Sequence, residues 1–173
     1  SDNSKYGIYL HESNGNFLSN NTANNNANRG IVLANSNNTL ITETVANGNG
    51  YYGISLAYSQ NNTIFKNTAN YNLDSGIEVY YSNNNTIKES TLFNNNNGVY
   101  LSGSHNNSII ENNANYNSGH GIAVFLSDFN LISRNKANNN SYGIYLYDSN
   151  NNTIKSNVLY WNSIECIREL DCY

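Results

Sequence analysis

The chain has 173 residues, 38 % of them hydrophobic and only 12 % charged, with a formal net charge of −4. No run of about 20 apolar residues occurs, which excludes a membrane-spanning helix, and no basic excess exists to grip nucleic acid. With 42 Asn, 15 Tyr and neither Pro nor Met, the composition excludes collagen, and the tyrosines and β-branched residues argue against a disordered Asn-rich tract.

The chain opens at Ser1 with no initiator Met and no apolar leader, and reads as a processed product or an excised piece. A repeat begins at Asn3. The Gly of a Gly-Ile-x-Leu motif returns as Gly7, Gly30, Gly53, Gly76, Gly98, Gly121 and Gly143, in steps of 23, 23, 23, 22, 23 and 22. A Ser six residues later, from Ser13 to Ser149, keeps the same steps, as does a small apolar site from Ala23 to Leu159. Every change in length falls between a repeated Asn and the next Gly, so one turn is elastic and the rest fixed.

Within each repeat the apolar residues alternate as in strands: Ile8 and Leu10 point one way and Tyr9 the other. A second short strand follows at Leu18, Ile41 and Ile64, and a third at the Ala/Leu site. One such coil cannot bury its own interior, but stacked coils can, about 4.8 Å apart. The expected fold is an all-β, right-handed, single-stranded parallel β-helix of about seven coils of 22–23 residues, with three short strands per coil. It spans residues 1–162. Residues 163–173 break the pattern and form a short irregular or helical cap with Ser163 as its N-cap, or an eighth irregular strand.

Asn26, Asn49, Asn72, Asn95, Asn117 and Asn140 hold one phase and are expected to be buried turn residues, hydrogen-bonded up and down the stack. A second Asn corner runs from Asn16 through Asn62, Asn85, Asn107 and Asn130 to Asn152. Cys166 and Cys172 form a terminal pair suited to a disulfide in an oxidising compartment, within or between chains; the alternative is two free thiols. Seven Asn-x-Ser/Thr sequons, at Asn20, Asn37, Asn61, Asn84, Asn106, Asn139 and Asn151, are glycosylation candidates.

The repeated Asn-Asn-Thr-Ile, Asn-x-Ala-Asn and Gly-Ile-x-Leu pattern resembles the right-handed parallel β-helix repeats of the NosD-type periplasmic copper-accessory family. It also resembles Asn-rich surface proteins of methanogenic archaea and the polysaccharide lyase and epimerase β-helices. The resemblance implies the fold over about residues 3–162. A copper role would need Met, Cys or His clusters. Met is absent, and His11, His105 and His120 occupy different places in the repeat, so no metal or cofactor is expected.

Lyase or epimerase chemistry would need carboxylates and a basic group converging on one outward strand face. The outward rows of the first strand show a single charge in their middle, Glu78, which reads as a solvated lone carboxylate, so no catalytic residue is expected. Tyr100, Phe125, Tyr145 and Tyr147 should share an outward face suited to sugar stacking or protein contact. The leading expectation is a non-enzymatic extracellular structural protein. Its open ends would add strand ladders head to tail with further copies of itself into a filament, sheath or surface layer. The alternative is a carbohydrate-binding module or a lyase- or epimerase-like fragment of a larger surface protein, with cell-surface polysaccharide as its partner.

Overall fold

The computed structural model describes residues 2–172. Long and short strands alternate. The first ten are β1 (Tyr6–His11), β2 (Phe17–Ser19), β3 (Arg29–Ala34), β4 (Leu40–Thr42), β5 (Ile54–Ala57), β6 (Thr63–Phe65), β7 (Ser75–Tyr80), β8 (Thr86–Lys88), β9 (Asn97–Ser102) and β10 (Ser108–Ile110). Then come β11 (His120–Phe125), β12 (Leu131–Ser133), β13 (Tyr142–Tyr147), β14 (Thr153–Lys155) and β15 (Glu165–Leu170). The long strands stack in chain order into one parallel sheet, β1-β3-β5-β7-β9-β11-β13-β15. The short ones form a second, from β2 to β14. Each residue pairs with its equivalent one coil away, as in Ile31↔Ile54 and Ile54↔Ile77.

Alternation decides what is buried. Ile31, Leu33, Ile54, Leu56, Ile77 and Ile122 point inward and are fully enclosed. Each contributes about 1.5–3 kcal/mol by burial. The third expected strand shrinks to isolated bridges, Thr22↔Val45, Val45↔Thr68 and onward to Lys136↔Val158. The cause is local: left-handed residues flank this segment closely on both sides, as Lys66 and Tyr71 flank Thr68. No longer run of extended backbone fits between them.

Each coil turns at four such left-handed corners. One coil uses Asn35, Asn38, Glu43 and Gly48; the next uses Tyr58, Asn61, Lys66 and Tyr71. Asn and Gly adopt this backbone readily, whereas other residues lose about 1–3 kcal/mol there. Each corner residue is followed by an inward polar residue that accepts a backbone N–H from the coil before. Asn49 thus donates to Asn72 Oδ1 (2.9 Å), Ser59 to Ser82 Oγ (2.9 Å), Asn62 to Asn85 Oδ1 (2.8 Å) and Ser90 to Asn112 Oδ1 (3.0 Å). Asn26, Asn49, Asn72, Asn95, Asn117 and Asn140 are all buried in the first of these ladders. The left-handed residue is their predecessor, exposed except at the half-buried Asn139, not the ladder Asn itself.

The repeated Gly is required by a close approach. A Cβ at Gly30 would lie 2.6 Å from Gly53 O and 2.8 Å from Asn49 Nδ2. The Asn ladder and the Gly ladder therefore need each other.

The C-terminal segment takes the strand alternative rather than the helix: β15 is the eighth strand of the long-strand sheet and pairs in parallel with β13, Tyr142↔Glu165 and Ile144↔Ile167. This register puts Cys166 at the repeated Gly position and Cys172 at the repeated Ser position. Cys172 Sγ donates to Leu170 O (3.2 Å), as Ser149 Oγ does to Tyr147 O (2.8 Å). Both thiols are free. The strand that separates them holds them roughly 20 Å apart, far beyond the reach of a disulfide within the chain. The same register places Glu169 opposite Leu146 in the inward row. A coil stacked on β15 would have to bury that carboxylate.

Candidate functional site

The outward face of the long-strand sheet carries the chemistry. One row lies immediately before the repeated Gly and contains Arg29, Tyr52, Ser75, Asn97, His120 and Tyr142. The adjacent outward row contains Ser55, Glu78, Tyr100 and Tyr145, paired as Ser55↔Glu78 and Glu78↔Tyr100. The first row escapes a reading of the sequence because it sits next to the elastic turn. Counting back one residue from each Gly recovers it.

Glu78 is not the solvated carboxylate expected; it is only 6 % exposed. Ser55 Oγ donates to its Oε2 at 2.6 Å, and the Tyr52 hydroxyl is also bonded to it. Burial pushes the Glu78 carboxyl above its ordinary range; the two hydroxyl donors and the charge of Arg29 offset part of that shift. Burial likewise raises the Tyr52 phenol, with the charge of Glu78 adding to it. Tyr100, on the other side of Glu78, is also raised by burial. Arg29 lies over the rings of Tyr51 (5.7 Å) and Tyr52 (5.2 Å). Its guanidinium forms no ion pair among the described residues.

A polar chain continues along the first row. Asn97 Nδ2 donates to Ser75 Oγ (3.3 Å), and Ser75 Oγ donates to Asp74 Oδ1 (2.9 Å). His120 Nδ1 lies 2.8 Å from Asn97 Oδ1. With that oxygen as acceptor, Nδ1 carries the proton and Nε2 the lone pair. Burial lowers the His120 pKa, which favours the neutral imidazole. The ring sits against Tyr142 (5.3 Å) and Tyr145 (4.8 Å).

The four aromatic candidates meet here. Phe125 is 5.5 Å from Tyr100, 5.5 Å from Tyr145 and 6.1 Å from Tyr147. The face therefore runs from a cation and a shielded acid at Arg29, Tyr52 and Glu78 to a neutral base among aromatic rings at His120. Arg29 and His120 are four coils apart, about 19 Å at 4.8 Å per coil. They cannot act on one sugar ring, but they can contact one extended chain.

The remaining candidates lie elsewhere. Asn20, Asn61, Asn84, Asn106 and Asn151 are exposed left-handed corner residues, and Asn139 is a half-buried one. Asn37 Oδ1 accepts the Gln60 N–H (2.6 Å). His11 and His105 lie away from His120; His105 Nδ1 accepts the Asp128 N–H (2.9 Å). The left-handed corners that follow the short strands carry surface pairs, Arg134 to Glu111 at 2.7 Å and Lys66 to Glu89 at 3.9 Å. Exposed pairs of this kind contribute about 0–1 kcal/mol.

A sequence model described as right-handed beta helix region matches residues 1–114 and 47–170. The chain belongs to the right-handed β-helix family. No curated protein sequence matches it. Among solved structures, the periplasmic alginate epimerase AlgG superposes with a TM-score of 0.80 at 22 % identity, over 97 % of this chain and 47 % of that one. The Azotobacter vinelandii mannuronan C-5 epimerase AlgE4 A-module gives 0.84 at 18 % identity, over 99 % and 53 %. The enzymatically active domain of bacteriophage CBA120 tailspike protein 2 gives 0.56 at 14 % identity, over 96 % and 35 %. At these identities the likeness is one of fold, and the chain spans about half the length of the epimerases. It nonetheless corrects the expectation of a non-enzymatic protein. This β-helix is superposable on enzymes, and beside the Glu78 already expected there its sheet face carries a cation, Arg29, and an imidazole, His120, that the outward rows read from the sequence did not include.

Proposed function

We propose that this chain handles an extended acidic polysaccharide on the outward face of its long-strand sheet, as a carbohydrate-binding or epimerase-like part of a larger extracytoplasmic protein. The supporting observation is the placement of the Arg29 guanidinium, stacked on Tyr51 and Tyr52 and in no ion pair among the described residues, beside the shielded Tyr52–Glu78 acid on a face that continues into stacked aromatics. A uronate presents a carboxylate, which Arg29 suits, and ring C–H faces, which Phe125, Tyr145 and Tyr147 suit. Epimerisation at C5 needs the carboxylate neutralised while a proton leaves one face and returns to the other. Tyr52 and Glu78 are the proton carriers nearest to Arg29. The fold shared with the alginate epimerases, one of them periplasmic, and with the tailspike domain supports the substrate class and the location.

Mannuronan oligomers incubated with the protein in deuterated water test this reading. Binding by calorimetry, with or without deuterium entering C5 by NMR, is the expected result, and Arg29→Ala should weaken binding at least tenfold. Absence of both binding and exchange overturns it.

A further inference from the structure

A second surface carries an inference that does not rest on the sheet face. At the corner leading into the long strands, the left-handed position is Tyr71, Asn94, Tyr116, Asn139 and Trp161 in five successive coils. Aromatic residues thus occupy alternate coils, about 10 Å apart along the axis, with an amide between each pair. Left-handed backbone disfavours Tyr and Trp, and burial does not compensate: Tyr71 is 66 %, Tyr116 57 % and Trp161 78 % exposed. Asn fills the same corner at Asn94 and Asn139 without that penalty. Tyr116 meets Phe93 edge-on (6.2 Å) and Trp161 leans on Tyr160 (5.8 Å), while no ring lies against Tyr71 among the described residues. Neither burial nor ring packing accounts for Tyr71 at this corner.

Between Tyr71 and Tyr116 lies a cleft of about 440 Å³, lined also by Leu73, Asn94, Asn96 and Ser118. None of its lining residues is charged. We propose that this corner binds a neutral, extended pyranose polymer running parallel to the solenoid axis. Tyr71, Tyr116 and Trp161 stack on the C–H faces of alternate sugars. The amides of Asn94 and Asn139, each both donor and acceptor, hydrogen-bond the hydroxyls of the sugars between. The two-coil step matches the advance of two sugar residues in an extended β-1,4-linked chain.

Trp161 is the chain's single tryptophan and reports directly. Titration with cellohexaose and with β-1,4-mannohexaose is expected to give a saturable change in Trp161 emission with at least one of them. The double variant Tyr71→Asn/Tyr116→Asn uses the residue this corner takes in other coils. It should melt at or above the temperature of the unaltered protein and bind at least tenfold more weakly. Phe at both positions should restore binding. Absence of any saturable change with either sugar, or undiminished affinity in the Asn double variant, overturns the proposal. Mannuronan binding and its loss in Arg29→Ala report on the sheet face separately, so either reading can fail while the other stands.

Discussion

Asn72 gives both its backbone N–H and its side-chain amide to a single oxygen, Asn95 Oδ1, at 2.9 and 3.1 Å. Asn95 in turn donates its backbone N–H to Asn117 Oδ1 (2.9 Å) and its amide to Ala69 O (3.0 Å). The Asn95 amide also reaches Asn117 Oδ1 (3.3 Å), and because these side chains are buried no water stands ready to replace a lost partner.

Asn95→Ala leaves the two Asn72 donors and the Ala69 carbonyl unsatisfied. At about 1–3 kcal/mol per orphaned buried group, the variant should lose several kcal/mol and melt on the order of 10 °C lower. The neighbouring Asn94→Gly alters only an exposed corner that Gly48 fills in another coil. It should shift the melting temperature by less than about 3 °C.

Two glycines separate crowding from backbone conformation. Gly30→Ala forces a methyl to 2.6 Å from Gly53 O, and overpacking against backbone should cost about 1–3 kcal/mol or more. Gly15 has a φ of +69° with nothing within 4 Å of an added Cβ. Gly15→Ala should cost about 1–2 kcal/mol through its backbone alone, whereas Gly15→Asn, the residue found at Asn38 and Asn61, should be close to neutral. Equal losses in Gly30→Ala and Gly15→Asn, measured by thermal melts, would contradict this division.

Glu78 sets a pH dependence whose sign follows from its environment. Its folded pKa is raised, chiefly by burial, so the folded state holds this proton more tightly than the unfolded chain. Its contribution to stability is complete below the ordinary carboxylate range and is lost as pH rises through the elevated folded value. Glu78→Gln keeps an acceptor for Ser55 and removes the titration. Stability curves from pH 4 to pH 8 should fall less steeply for Glu78→Gln than for the unaltered chain. Parallel curves would assign the slope to other groups.

Glu169 stands where a coil would otherwise present an inward apolar residue to its neighbour. Glu169→Leu extends the row of Leu33, Leu56, Leu101 and Leu146 into β15. Sedimentation at rising concentration should show a higher average mass for this variant than for the unaltered chain. Equal masses at all concentrations would mean that this carboxylate does not limit association of the chain.

The phase of the repeat made most of the fold legible. Ile31, Ile54 and Ile77 recur at one spacing, so their shared inward row could be written down from the sequence, as could the meeting of Phe125 with Tyr145 and Tyr147. Three features were hidden, each for a physical reason. Glu78 looked solvated because its own row shows only Ser55 and Tyr100 beside it; the phenol that encloses it, Tyr52, belongs to the row beside the elastic turn. The ladder of Thr44, Asn67, Ser90, Asn112 and Asn135 was masked by its mixed composition, although any short side chain with an acceptor oxygen serves there. Cys166 and Cys172 read as a pair through proximity in sequence, whereas an extended strand turns that proximity into distance.

The matched length of the windings has a consequence for how such a molecule changes over generations. Loss or duplication of one whole winding leaves every remaining ladder closed, and a single-residue change is absorbed at the elastic turn, whereas the same change elsewhere in a winding puts its ladders out of register. Separation between Arg29 and His120 can therefore lengthen or shorten only in whole increments, and the spacing of its contacts on a polymer is inherited as an integer.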